Sequence, residues 1–304
     1  MLARYEFVDG KVVQSAGDSA PISVFSNPDE AEKRRLVDEF KIDDHTLASA
    51  LDPDELSRLE FEPAHAAVIF KRPKSYSAAD DLLFRVISVG LFLFKDRVVL
   101  VLSEEAPLFD GRPALRANTV TELALRLISR TISHFVEHLR IINQLSDSLE
   151  GKIASAMENR YLLNLFTLEK SLVYYLSAIG ANSSVIEKLK LNAARIGFAP
   201  EQVELLEDLA IENQQCYRQA EIYSNILSNL MDARVSIVNN NLSLLMKTLN
   251  VITICIMVPT LVVSAFSMNV IFPLHDNPHA FWIILGLAGT ALAVFMGLWR
   301  AKRW

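Results

Sequence analysis

Residues 251–272 carry no charge over 22 positions, and residues 280–299 carry none over 20. A helix crosses the hydrocarbon core of a bilayer with about 20 apolar residues, so each stretch is long enough to span. Seven residues, 273–279, separate them, which makes the pair a tight hairpin. Of the 66 charged residues, four follow Lys247: Asp276, Arg300, Lys302 and Arg303. Those four sum to +2, so residues 1–247 carry −8. The chain is an acidic water-soluble body followed by an apolar tail. Arg300, Lys302 and Arg303 follow the second stretch, while the connecting loop has no Lys or Arg. The excess of basic residues on the cytosolic side of spans predicts a cytosolic C-terminus, an outer loop and a cytosolic body in the inner or plasma membrane. The first residues lack an apolar h-region, so no signal peptide is expected. Trp282 and Trp299 flank the second span as interfacial anchors. The two cysteines, Cys216 and Cys255, make no disulfide framework. With a pI near 5.6 and no basic run, no nucleic-acid partner is expected.

Residues 1–112 mix strand and helix signals and read as an N-terminal α/β domain. Asp9-Gly10 between apolar runs predicts a hairpin with a type I′ turn. Residues 28–40 and 44–51 look helical, and Asp52-Pro53-Asp54-Glu55 looks like a further helix start. Residues 65–71, 84–94 and 97–103 read as strands. Residues 113–200 form a helical part. Thr119-Val120-Thr121-Glu122 opens a helix as a capping box. Periodicity runs to about Ile179, Gly180 to Ser184 breaks it, and a shorter helix stops near Gly197 and Pro200. Residues 201–258 then contain neither Gly nor Pro. This predicts one stalk helix over 201–250 that continues into the first span, 251–272, with the outer loop at 273–279, the second span at 280–299 and a basic tip at 300–304. At 1.5 Å per residue, 201–272 would be about 108 Å long. The predicted fold class is α+β: a mixed α/β body, then a very long helix entering a two-helix transmembrane hairpin.

One face of that helix is unusual. Asp232, Ser236, Asn239, Ser243, Met246, Asn250, Thr253, Met257, Thr260, Ser264 and Ser267 recur at spacings of 4 and 3 without a break. A heptad seam normally carries Leu, Ile or Val. Here nine of the eleven are small polar or acidic, while Ile237, Val238, Leu242, Leu244, Leu245, Val251, Ile252 and Ile254 flank them. Two readings fit. Small residues can bring two transmembrane helices close, which accounts for Thr260, Ser264 and Ser267. A water-filled axis, with several copies of the helix around it, accounts also for Asp232, Asn239, Ser243 and Asn250. In that reading Met246, Leu249 and Met257 are constrictions able to gate by dewetting.

These residues resemble the CorA family of divalent-cation channels. The long helix entering a two-span hairpin, the Met257-x-x-Thr260 step, Phe266 ahead of Ser267-Met268-Asn269, the short outer loop and the basic tip all carry the likeness, most strongly over residues 201–304. The resemblance implies a homopentameric, funnel-shaped channel passing Mg²⁺, and Co²⁺ or Ni²⁺, with the divalent cation both substrate and regulator and with no organic cofactor. It implies that Asn269 matches the signature asparagine of the outer mouth and that the seam residues line the pore. It puts Asp208, with Glu207 beside it, where the family carries an ion-sensing carboxylate between subunits. The chain departs from the family's Gly-Met-Asn at Ser267, where serine adds a side chain in place of glycine's freedom. A zinc-type transporter of the same superfamily, coupled to protons, and a non-conducting membrane-anchored regulator remain alternatives. Mg²⁺ keeps its waters tenaciously, so rings of Asn, Thr and Ser oxygens suit it.

Other signals are weaker. His275 and His279 in the outer loop can recruit a softer cation, although Pro278 interrupts a helical pair. His134-Phe135-Val136-Glu137-His138 formally matches an inverted zincin motif, but a charged, solvated helix face explains it better. The acidic pairs Asp43-Asp44 and Glu104-Glu105 read as solvated faces. No phosphate loop, nucleophile elbow or cysteine cluster occurs, so neither an enzyme nor a nucleotide-driven pump is expected. Membrane lipid, divalent cations and further copies of the chain are the expected partners.

Overall fold

The computed structural model describes residues 1–17, 20–76, 82–106, 108–109, 115–155, 159–268 and 277–301, and it divides into two compact units, Met1–Met231 and Asp232–Trp304. The first unit begins with β1 (Leu2–Val8), β2 (Lys11–Gln14), β3 (Ile22–Ser26), α1 (Glu30–Asp38) and α2 (Asp44–Leu51). It continues with β4 (Arg58–Phe61), β5 (Ala66–Pro73), β6 (Val86–Leu93) and β7 (Val98–Leu102). The helices α3 (Val120–Ser155), α4 (Asn159–Leu191) and α5 (Ala193–Ile196) follow, then α6 (Pro200–Phe266) up to Met231.

The described strands form one seven-stranded sheet in the order β2-β1-β3-β7-β6-β5-β4. Every pairing is antiparallel except β3 with β7, which is parallel and sets Ile22 opposite Val98. Side chains alternate across a strand, and the central strands are apolar on both faces. Val68, Phe70, Leu91, Val98 and Leu100 bury into one core with α3, α4 and α6, where Phe135, Leu168, Tyr175 and Leu206 meet them. Ile69, Phe92, Val99 and Val101 point the other way, onto Leu36, Leu47 and Ala50 of α1 and α2. The result is a three-layer α/β/α sandwich. The helical part after residue 112 is therefore not a separate body: α3 and α4 share the sheet's own core.

Local chemistry sets the boundaries. Asp9 and Gly10 both take positive φ (48° and 73°), as a type I′ hairpin requires. Asp29 caps α1 with a complete capping box through Glu32, and Asp43 caps α2 through the amides of His45 and Thr46. The Glu122 amide donates to Thr119 Oγ1 at 3.1 Å, while the Glu122 carboxylate takes the N–H of Asn118 rather than that of Thr119. Gly197, at φ 86°, ends α5 in the left-handed conformation.

Three sequence expectations fail. Residues 52–55 form a turn after α2, not a helix start. The stretch predicted as one helix to Ile179 holds two, α3 and α4, which pack against each other. Gly180 to Ser184, read as a break, lies inside α4. Tertiary bonds override weak local propensity there. Asn182 donates Nδ2–H to the Lys71 carbonyl at 2.7 Å and accepts the Lys71 N–H at 2.8 Å on Oδ1. β4 pairs with β5 no further than Ile69, so Lys71 leaves its edge groups open, and one side-chain amide closes them in place of another strand residue. Asn213 of α6 donates to the Ile179 carbonyl and to Ser183 Oγ. β3 and β4 escaped the sequence reading because each is short and β4 is half charged.

Gly90 on β6 faces α2. A Cβ there would sit 2.6 Å from Ala50 Cβ and 3.0 Å from the Phe92 ring. Gly90→Ala is expected to destabilise by about 1–3 kcal/mol through overpacking, which corresponds to roughly 2–4 °C of thermal midpoint for each kcal/mol in a unit of this size. Calorimetry of the detergent-solubilised chain checks it.

Candidate functional site

Hydrocarbon length and polar patterning meet on α6. Its 67 residues extend about 100 Å at 1.5 Å per residue. α7 (Ala280–Ala301), with 22 residues, extends about 33 Å, enough to cross a bilayer. Both are long and apolar enough to be spans. The first span ends sooner than its uncharged stretch: α6 stops at Phe266, not at 272. Ser267 is a turn residue whose N–H and Oγ–H both donate to the Ser264 carbonyl, at 3.1 and 3.0 Å. α7 runs two residues past the predicted 299.

All eleven seam residues, from Asp232 to Ser267, are exposed in the single chain, as are Leu249 and Met268. Met246, Leu249 and Met257 are 59%, 58% and 62% exposed, large apolar side chains set among polar ones. Four of the seam hydroxyls share one arrangement. Ser236 donates to the Asp232 carbonyl, Ser243 to Asn239, Thr253 to Leu249 and Thr260 to Ile256, at 2.6–3.2 Å. Each therefore spends its proton on the turn before it, and its oxygen keeps lone pairs for an outside donor or cation. Such a row of acceptor oxygens suits a cation or its hydration shell. The seam's period of 3.5 residues drifts about 20° per heptad on a straight helix, so a common axis for several copies requires a slight left-handed supercoil.

Other predicted site residues are less assembled. Asp208 on α6 is exposed. Glu207 beside it already holds a cation, Lys190 Nζ at 2.9 Å. Among the described residues, no group of three or more His, Cys, Asp or Glu is placed to hold a metal ion. Glu104 pairs with Lys74 at 2.7 Å, and Asp43 is spent on capping α2. His279 is exposed, with its backbone N–H bonded to Asn277 Oδ1. Asn269, His275 and Asp276 lie outside the described residues. Pro259, which sequence reasoning left unused, sits inside the helical span, where it withholds one backbone N–H.

A folded α/β/α body followed by two helices long and apolar enough to cross a membrane, one bearing a polar seam, is the architecture of a membrane protein with a large extramembrane unit. The family model described as CorA-like Mg²⁺ transporter protein matches residues 23–302. The chain belongs to that family, which is one of transporters rather than enzymes. A cobalt/magnesium transport protein CorA from Methanocaldococcus jannaschii is 25% identical over 291 residues, covering 91% of this chain and 89% of the relative. Its namesake from Thermotoga maritima is 21% identical, covering 89% of this chain and 79% of the relative. The solved complete structure of the Methanocaldococcus jannaschii CorA magnesium transporter superposes with a TM-score of 0.85 at 20% identity, over 99% of this chain and 97% of that one. The fold is thus the one the sequence resemblance implied.

The inverted zincin motif resolves differently from the sequence reading. Its histidines are not on a solvated face. His138 is buried, with Nδ1 2.6 Å from the Tyr175 hydroxyl, and the rings of His134 and His138 are 4.3 Å apart. Burial, then the neighbouring imidazole and Arg72, lowers the pKa of His134 to about 3; burial, then Arg72, lowers that of His138 to about 4. Burial likewise pushes the Cys216 thiol up to about 12, which leaves it inert. Both imidazoles stay neutral in the folded state while the unfolded chain takes up protons below about 6.5. Their contribution is complete above about 6.5 and is lost as pH falls from there toward 4. The thermal midpoint is expected to fall between pH 7 and pH 5, and His138→Gln to flatten that fall by a few degrees. Near-UV circular dichroism melts at several pH values check it.

Proposed function

We propose that the chain forms a homopentameric channel that passes hydrated divalent cations, Mg²⁺ first and Co²⁺ or Ni²⁺ next, along the α6 seam. The observation that carries this reading is the seam itself, in which nine of eleven positions spaced by three or four residues bear an acceptor oxygen and run into an apolar, membrane-length stretch. The names of the relatives, cobalt/magnesium transport proteins, point the same way. Self-assembly is supported by the flanks. Ile237, Leu242, Leu244 and Leu245 are 50–63% exposed in the single chain and precede Lys247, the last charged residue before the span. Apolar surface of that kind calls for a protein partner, and a second copy of the same helix supplies it. Five copies, cytosolic termini and a mouth formed by Ser267, Met268 and Asn269 complete the proposal. Asn269 meets the incoming hydrated ion; Met246, Leu249 and Met257 close the path by dewetting when the helices approach.

The proposed gate is ionic. Free internal Mg²⁺ bridges Asp208 to a carboxylate of a neighbouring copy and holds the pore shut. Glu207 takes a smaller part, because Lys190 competes for it. A zinc-selective, proton-coupled transporter is the second reading, favoured by Ser267 in place of glycine and by the exposed His279.

Flux into proteoliposomes, measured for Mg²⁺, Co²⁺, Ni²⁺ and Zn²⁺ with and without a pH gradient, separates the readings. Mg²⁺ flux independent of the gradient is expected; zinc-selective, gradient-driven flux supports the second reading, and no flux for any ion leaves a non-conducting regulator. Asn269→Ala is expected to cut flux at least about tenfold; equal conduction by wild type and variant removes Asn269 from the mouth. Asp208→Ala is expected to weaken inhibition by internal Mg²⁺, read as a higher inhibitory concentration in the same vesicles.

A further inference from the structure

Within the first unit lies a cavity of about 1040 Å³, between the sheet and the N-terminal half of α3. Small-molecule sites span about 300–1,000 Å³, so its size suits an organic ligand. The floor is apolar, from Phe70, Val89 and Leu100 of the three neighbouring strands β5, β6 and β7. The walls are basic. Lys11, Arg72, Arg116, Arg126 and Arg130 all line it against one carboxylate among the described lining residues, Glu137. Nothing in the linear sequence showed this patch, because its members come from β2, β5, the segment before α3, and α3 itself. It stands out in a chain whose net charge is −6.

Arg72 makes the cavity more than a basic surface. It is 8% exposed, lines the cavity, and has neither a hydrogen bond nor an ion pair to its guanidinium among the described residues. Its nitrogens are not sealed from the cavity, but a charge held with so little solvent and no protein partner is costly. Burial and the nearby Arg130 both disfavour its charged form, and Glu104, which favours it, is already engaged by Lys74. Arg130 gives one N–H to the Leu108 carbonyl at 2.9 Å, and Arg126 leans on Glu122 at 3.5 Å. Both retain donors, since a guanidinium carries five. A ligand that supplied negative oxygens here would offset the Arg72 burial cost and the mutual repulsion together. Arginine forks match the oxygen spacing of phosphate groups.

We propose that this cavity binds a phosphate-bearing anion, with Arg72, Arg116, Arg126 and Arg130 holding the phosphate oxygens above the apolar floor. The ligand is either a free phosphate species or a nucleotide, whose organic part would rest on Phe70, Val89 and Leu100.

The test is isothermal titration of the full-length detergent-solubilised chain in metal-depleted buffer, with pyrophosphate in one arm and ATP in the other. Saturable binding of one molecule per chain is expected in at least one arm. Pyrophosphate binding as tightly as ATP identifies a free phosphate ligand; ATP binding alone, or more tightly, identifies a nucleotide. The double variant Arg116→Ala and Arg126→Ala, at two exposed positions, is expected to raise the Kd at least about tenfold. Arg72→Met, which keeps the apolar stem, is expected to do the same, while Lys188→Ala on the exposed side of α4 leaves the Kd unchanged. No saturable binding in either arm, or a Kd unchanged in the double variant with its circular dichroism intact, overturns the proposal.

Discussion

Inside a bilayer no water is available to complete a hydrogen bond, so every polar group on a spanning helix must find its partner in the protein. α6 meets that constraint one turn at a time. Thr253 and Thr260 return their protons to the carbonyls four residues back, and Ser267 does the same three residues back as the helix ends. The helix thereby tolerates hydroxyls without strain, and what each hydroxyl leaves outward is an oxygen. The same local bond that makes the side chains admissible in an apolar segment leaves their oxygens free to accept from outside, which is what the proposed channel requires of the seam. Ser236 and Ser243 repeat the arrangement before the span begins, so the acceptor row does not stop at the membrane surface.

The extramembrane unit solves a related problem with different means. Its sheet is apolar on both faces, and three of its edge groups and loops are closed by side chains rather than by strands. Asn182 mimics a strand residue beside Lys71. Ser171 Oγ accepts the Phe84 N–H at 3.0 Å while donating to the Thr167 carbonyl. The Lys71 ammonium turns inward to the Pro53 carbonyl and Ser88 Oγ. Each contact fixes a helix or a loop against the sheet at a defined register, which apolar packing alone leaves loosely specified.

Much of this was legible in the sequence where one physical signal dominated. Charge-free length marked both spans, the absence of Gly and Pro marked α6, and the 4-3 recurrence marked the seam from Asp232 to Ser267. Asp9-Gly10 and the cap at Thr119 were readable because their geometry is local, whereas Asp43, read as part of a solvated acidic pair, caps α2. What escaped depended on distant partners. Gly180 suggested a break, and nothing nearby announced that Asn182 and Asn213 would hold the helix together across it. His134 and His138 looked solvated because their neighbours in sequence are charged, whereas the side of α3 they occupy is set by Tyr175. The cationic cavity was invisible for the same reason, since Lys11, Arg72 and Arg116 meet only after the sheet is assembled.

The parallel pairing of β3 with β7 carries a consequence in time. Ile22 must find Val98, and between them the chain makes two helices and three strands that include both neighbours of β5. Contacts of such long sequence separation form late because loop-closure entropy is lost before they are gained. During synthesis at about 5–20 residues per second, β3 waits about 4–15 s for its partner to be made. Until then β1, β2 and β3 can form no more than a three-stranded sheet in the order β2-β1-β3, with the β3 edge still open and the apolar residues Ile22, Val24 and Phe25 bare. The nascent body is thus most exposed to wrong pairing early, well before its apolar tail leaves the ribosome.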